Sequence, residues 1–463
     1  MEKKSNHFSG QIGFVLVAAG SAVGVGNLWR FPYLAAKDGG GLFLMLYLIL
    51  VLTFGFTLLV SDIAIGRRTQ QSAIGAYTTM NPRWKFLGIL TFIVPMLIMT
   101  YYTVIGGWIT KYAVVYLTGQ AEQAAQDDYF TSFITSPVAP VVFSLLFMAV
   151  TALIVYNGVE GGIERVSRCM MPILLVLVVV IAVYSVTLRH TDASGQLRTG
   201  IDGFLYYLTP QFEGLTVKRF FQILLDAMSQ LFFSLSVSMG IMITYGSYVK
   251  PEVNLNTAVR QIEFFDTGVA LLAGAMIIPA VYVFSGTEGM SAGPSLMFIS
   301  LPKVFAAMGK AGVVVGILFF VSAIFATLTS CISVLESITA NCMAIFHTGR
   351  EKTVLVLSAI YLAASAVISL GYSIFYFEVQ LPNGSTGQLL DIMDYISNSV
   401  MMPFIALMST ILIGWIMTPD YIIEEMERNG ENFHRKKLYR VMSRYVVPVM
   451  MFALFLQSTG MIG

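Results

Sequence analysis

Residues 20–32 read Gly-Ser-Ala-Val-Gly-Val-Gly-Asn-Leu-Trp-Arg-Phe-Pro, and they sit inside a long apolar segment. Three glycines, an asparagine and an arginine are poor material for a helix in hydrocarbon. Backbone freed from helix by such a run must find partners, because the bilayer core supplies none. It is tolerated where it lines a cavity and its loose amides and carbonyls bind something. Amides around Gly24 and Gly26 would open a half-helix, a ready site for an anion. The chemistry indicated is capture of small charged groups in the middle of a membrane.

Three more anomalies belong beside it. Gln230 to Gly240 places hydroxyls at Ser234, Ser236 and Ser238 ahead of a glycine, again within an apolar segment. Thr329 and Ser330 are adjacent hydroxyls in the otherwise apolar run around Ala326 and Val334. Asp266 is a carboxylate in a further apolar stretch, where an acid is expensive and functional by default. The bland alternatives are serines that only help helices pack and an interfacial acid paired with Arg260. Weaker is Gly162 followed by Pro172, two residue types that loosen helices.

The elements that must carry these residues are membrane helices. The 463 residues are 56% hydrophobic and 11% charged, with mean hydropathy +0.76. A soluble chain of this size could not cover so much apolar surface. A net charge of +1 gives no argument for a nucleic-acid partner. Cys169, Cys331 and Cys342 fall in or beside apolar segments and are expected to be buried, with no disulfide framework or metal spacing. Eleven stretches are long enough to span: 10–36, 40–66, 86–117, 138–157, 166–188, 220–248, 258–284, 311–346, 353–371, 391–417 and 438–462. An N-terminus inside puts Lys3, Lys4, Arg67, Arg68, Arg165, Arg168, Arg435, Lys436 and Lys437 on the cytoplasmic side, as the positive-inside rule asks. Segment 285–310 is either a lid over the outer face or an ordinary connector. No cleavable signal peptide is visible.

Spans 1 and 6 both carry a break, and each opens a unit of five spans. Such units insert with opposite topology, and paired breaks point to a midplane site between inverted repeats. The expected organisation is an all-α membrane protein of 11 helices. A first repeat covers 1–190, a second covers 191–417, and a cytoplasmic loop with the last span covers 418–463.

Gly20 to Pro32, Tyr101-Tyr102, Gln230 to Gly240 and Ala326 to Ser330 together resemble the neurotransmitter:sodium symporters, above all their bacterial amino-acid members. The resemblance runs through nearly the whole chain in order. It implies import of neutral apolar or aromatic L-amino acids with sodium, without an organic cofactor, across a prokaryotic plasma membrane. A monomer would suffice, and oligomeric state stays open. Carried over residue by residue, it implies one sodium site of Gly20, Val23, Ala326, Thr329 and Ser330. The other would comprise Ala22, Asn27, Ser234 and Asp266, where the family often has Asn in place of Asp266. That acid would both ligate sodium and stand in for chloride, making transport chloride-independent.

The resemblance also implies a pocket of Ala22, Gly24, Val25, Gly26, Ile98, Tyr102, Phe233, Ser234, Ser236, Met239, Ser330 and Val334. Tyr102 would bond a substrate carboxylate, and Gly24 stands where amine carriers have an Asp. With no charged side chain in that list, charged substrates should bind poorly. Arg30 and Asp394 would form the outer gate. At the inner gate, Ala344 occupies the place of the family's acid, which leaves Tyr248 and Lys4 as candidates. Gly162 and Pro172 match a segment that unwinds to admit water. Rival readings are a channel, a membrane enzyme and, closest, a sodium-dependent amino-acid sensor that binds without transport. No histidine faces an acid or thiol at a spacing fit for catalysis.

Overall fold

A computed structural model describes residues 7–191, 195–290 and 292–461. Lys3 and Lys4, with their parts in the orientation and the inner gate, lie outside these residues. In chain order the principal helices are α1 (Gln11–Ala22), α2 (Gly26–Lys37), α3 (Gly41–Thr69), α4 (Pro82–Leu117), α5 (Ala139–Tyr156) and α6 (Val159–Thr187). There follow α7 (Val217–Ser234) and α8 (Ile241–Ser247), then α9 (Leu255–Ser285), α10 (Leu296–Ala307), α11 (Lys310–Phe346), α12 (Arg350–Leu370), α13 (Leu389–Ile416) and α14 (Lys436–Ser458). Among the described residues nine of these are long and apolar enough to cross a bilayer, or ten if α1 and α2 count as one bent span. The expected span 220–248 is not among them, because α7 carries Lys218, Arg219 and Asp226. The helical expectation needs one small amendment: Arg189–Thr191 pairs with Leu197–Thr199, and Val379–Gln380 with Thr386–Gly387, as two short hairpins.

The two glycine-bearing anomalies, 20–32 and 230–240, are breaks. The axes of α1 and α2 differ by 54°, and Val23 between them is extended, with ψ 97°. Helix α2 restarts as a widened π-turn over Gly26–Arg30, a form that recurs at functional sites. Between α7 and α8 the chain turns through Ser236, Ser238 and Gly240, whose φ values are +52°, +62° and +76°. Left-handed backbone costs a serine about 1–2 kcal/mol, so something must hold the turn. Asp62 does: its carboxylate accepts the Ser238 N–H at 2.8 Å.

Helix α8 is fixed against α3 through backbone. A methyl on Gly66 would stand 2.0 Å from the Ile243 carbonyl oxygen, and one on Gly246 2.3 Å from that of Ile63. Small residues allow this close approach. Helix α10 lies in the 285–310 segment, and its Phe298 packs edge-on against Trp29 and Trp108. Tyr112 Oη donates to the Phe298 carbonyl at 2.8 Å. The segment thus carries a helix of its own and packs against α2 and α4. The outer faces of α6 and α14 are largely unburied and apolar, as helices against lipid are. Cys331 and Cys342 are buried, but Cys169 is exposed, contrary to expectation, because it faces outward from α6.

Candidate functional site

The two breaks meet. Ala22, Gly24, Gly26, Ile98, Tyr102, Phe233, Ser234, Ser236, Met239, Ser330 and Val334, eleven of the twelve expected pocket residues, line one small cavity of about 30 Å³. Val25 faces instead, with Arg30 and Asp394, into a wider vestibule of about 480 Å³. Phe233 and Tyr102 border both spaces, so they form the floor of one and the roof of the other. Tyr102 Oη lies 3.4 Å from the Val25 N–H. A methyl added to Gly24 would sit 3.1 Å from both Tyr102 Oη and Ser330 Oγ. Glycine here keeps open the space beside the loose amides.

On one side of the cavity Asp266 is fully buried. Its Oδ1 accepts from Ser234 Oγ at 2.6 Å and from Asn27 Nδ2 at 3.0 Å. Asn27 Oδ1 in turn accepts the Gly24 N–H at 3.2 Å. Among the described residues Asp266 Oδ2 has no hydrogen-bond partner, and Tyr47 Oη and Gln230 Oε1 are also buried without one. A carboxylate oxygen left so is costly, and the donor set of carboxylate, amide and hydroxyl oxygens suits a hard cation. Arg260 does not answer this acid; its Nε bonds the Asn256 carbonyl on its own helix.

On the other side Ser330 Oγ approaches the carbonyls of Ser21, Val23 and Ala326 at 3.2, 3.5 and 3.0 Å. Thr329 Oγ1 lies 3.1 Å from the Ala326 carbonyl. A methyl on Gly20 would be 3.2 Å from Thr329 Cβ and from Met171 Sδ. All five residues expected for this cluster are therefore together. Ser21, whose carbonyl accepts from Ser236 at 2.9 Å and from Ser330, was not foreseen. Met171 sits one residue before Pro172, so α6 touches this cluster next to its proline.

Arg30 and Asp394 share the vestibule without a direct ion pair among the described residues. Arg30 donates to Ser229 Oγ at 2.7 Å, and Asp394 accepts from Asn398 at 2.6 Å. Further out, Lys37 meets Asp226 at 3.0 Å and Arg219 meets Asp38 at 2.8 Å, tying the end of α2 to α7. Burial, ahead of repulsion by Asp226, pushes the Asp38 carboxyl up to about 6. At the opposite end, Tyr248 Oη donates to Glu336 Oε1 at 2.7 Å. Glu336 is fully buried and pairs with Arg350 at 2.6 Å and 2.7 Å. Besides Ala344, α11 thus carries a buried acid two turns earlier, and α12 supplies its cation. A lone Glu in an apolar span was the signal that sequence reasoning passed over, as it passed over Asp62.

A bundle of apolar helices with two broken ones meeting at a closed, oxygen-rich cavity defines a membrane carrier. A model of the Sodium:neurotransmitter symporter family matches residues 5–135 and 134–462, and the chain belongs to that family. It is 34% identical to the sodium-dependent transporter YhdH of Bacillus subtilis (strain 168), over 100% of this chain and 99% of that one. It is 30% identical to a sodium-dependent transporter of Haemophilus influenzae, covering 98% of each. Among solved structures, MhsT in complex with L-phenylalanine superposes with TM-score 0.84 at 33% identity, over 98% of this chain and 99% of that chain. The protein is a multi-pass, sodium-dependent secondary transporter and not an enzyme.

Proposed function

We propose that the protein imports neutral apolar and aromatic L-amino acids with sodium by alternating access, independently of chloride. One observation carries this reading: the uncharged cavity lies between two clusters of hard oxygen ligands, one of which holds a carboxylate oxygen without a partner. The carboxylate of an amino acid would meet Tyr102 and the amides around Gly24, and its side chain would face Ile98, Phe233, Met239 and Val334. One sodium would bind at Ala22, Asn27, Ser234 and Asp266, the other at Gly20, Val23, Ala326, Thr329 and Ser330. The L-phenylalanine held by MhsT supports the substrate class.

In this reading α7 and α8 count as the broken sixth span, giving eleven. The spans form inverted repeats over 1–190 and 191–417, followed by 418–463, with the N-terminus cytoplasmic. Arg30 and Asp394 close the outer side, Tyr248 the inner, and Gly162 with Pro172 loosens α6 to admit water. Each sodium entering down about 100 mV and a tenfold gradient supplies roughly 2.3 and 1.4 kcal/mol. Two would supply about 7 kcal/mol, which suits scavenging from dilute medium.

The test is uptake of labelled leucine or tryptophan into proteoliposomes, in sodium or potassium, each with chloride or gluconate. Uptake that needs sodium and ignores the anion is the expected result. Sodium-dependent binding without uptake would make the protein a sensor.

A further inference from the structure

Where α13 ends and α14 begins, the two helices touch through backbone. A methyl on Gly414 would stand 2.6 Å from the Ser443 carbonyl oxygen. The contact leaves Arg444 on the outside of the bundle, where the Trp415 indole N–H donates to the Arg444 carbonyl at 2.9 Å. The guanidinium lies 5.0 Å from the Trp415 ring centroid and 5.7 Å from that of Tyr445, and the two rings stand at 85° to each other. Both rings are more than half exposed, at 55% and 54%. Val449 and Phe452 continue this face along α14, also more than half exposed. In a chain that spans a bilayer such a face meets lipid, and Trp and Tyr mark its boundary with water.

The other cations nearby have acids. Arg435 meets Glu263 at 3.4 Å, Lys436 meets Glu427 at 2.8 Å, and Arg440 meets Asp420 at 2.5 Å. Among the described residues the Arg444 guanidinium has no acceptor, and its Nε is buried without one. Among the described residues Lys437 too has no carboxylate partner. It lies seven residues, about 10 Å along the helix axis, before Arg444, with the π-turn Met442–Val446 beginning between them.

We propose that Arg444 and Lys437, framed by Trp415 and Tyr445, bind the headgroup of an acidic phospholipid. A guanidinium held against aromatic faces keeps edge N–H donors for an anion, and its planar fork matches phosphate oxygens. Cation–π contact holds it there without neutralising it. The second charge, on Lys437, gives the site its preference. A zwitterionic headgroup brings its own cation next to Lys437, whereas phosphatidylglycerol brings none. Unpaired basic residues at a membrane boundary attract anionic lipid for the same reason.

The test is native mass spectrometry of the full chain, released from bilayers of equal phosphatidylglycerol and phosphatidylethanolamine. Wild type retains phosphatidylglycerol at least fivefold over phosphatidylethanolamine. Arg444→Gln and Lys437→Gln each lower that retention several-fold. Arg440→Gln, which removes a cation already paired with Asp420, leaves it unchanged. Equal retention of the two lipids by wild type, or an Arg444→Gln protein that keeps phosphatidylglycerol like wild type, overturns the proposal.

Discussion

The carboxylate of Glu164 accepts the backbone N–H of Ser9 at 2.9 Å, and the same side chain pairs with Arg168 at 2.6 Å. Glu164 is almost fully buried, and a methyl on Gly13 would fall within 2.1 Å of its Oε1. Helix α1 thus begins on an acid supplied by the π-turn that opens α6. Negative charge at a helix N-terminus is favourable, and here it joins α1 to α6. Helix α1 carries Gly20 of the oxygen-rich cluster, and α6 carries Met171, which packs against Gly20.

Cutting this tether should loosen α1. Glu164→Ala removes charge-assisted hydrogen bonds worth about 1.5–3 kcal/mol where buried, less for the half-exposed Arg168. Backbone amides of residues 10–20 should exchange with deuterium at least tenfold faster in sodium, while those of α4 keep their rate. Unchanged exchange in α1 would mean that packing, and not Glu164, holds it.

The cavity should be sensitive to a single methyl. With only about 3.1 Å from a Gly24 methyl to Tyr102 and Ser330, Gly24→Ala narrows the place assigned to a substrate carboxylate. Amino-acid affinity should fall more than tenfold, with the melting temperature nearly unchanged. Tyr102→Phe removes one hydrogen bond to a charged group, about 1.5–3 kcal/mol, so its affinity should fall roughly tenfold or more. Scintillation proximity binding of labelled leucine measures both. A Gly24→Ala protein that binds like wild type would move the substrate elsewhere.

Sequence made the breaks legible because glycine, serine and asparagine stand out against hydrocarbon-facing residues, whereas the twelve pocket residues came with the family resemblance; eleven of those twelve line one cavity where the breaks converge. What sequence could not supply was partnership across distant segments. Asp62 and Glu336 are each one acid in an apolar run, and nothing local tells that one braces the turn at Ser238 while the other answers Arg350. Ala344 told nothing of Glu336 for the same reason: the acid on α11 finds its cation on a different helix. Val25 also escaped. One residue separates Gly24 from Gly26, but the widened turn at Gly26–Arg30 rotates Val25 out to the vestibule.

Adjacent arginines at the end of α3 separate a buried pair from a surface pair. Arg67 has no exposure and binds Glu425 Oε1 at 2.5 Å, the Glu425 carbonyl at 2.5 Å and the Val253 carbonyl at 2.7 Å. Arg68 pairs with Glu424, which is two-thirds exposed. Breaking a buried pair leaves an uncompensated charge and costs about 3–5 kcal/mol; an exposed pair is worth about 1 kcal/mol or less. Arg67→Ala should lower the melting temperature in detergent by several degrees. Arg68→Ala should shift it far less, and equal shifts would count against the distinction.

Asp266 gives the sharpest functional prediction. Its Oδ1 holds Ser234 and Asn27 while Oδ2 stays without a partner, so the fixed negative charge is available to a cation. Asp266→Asn keeps the shape and the bonds to Oδ1 but removes the charge. Apparent sodium affinity should fall about tenfold, equivalent to about 1.4 kcal/mol, in gluconate. Chloride should restore part of it, since an external anion can then supply the missing charge near Tyr47, Gln230 and Ser234. Wild-type uptake should be the same in both anions. If the variant transports equally in chloride and gluconate, Asp266 is not the charge that replaces chloride.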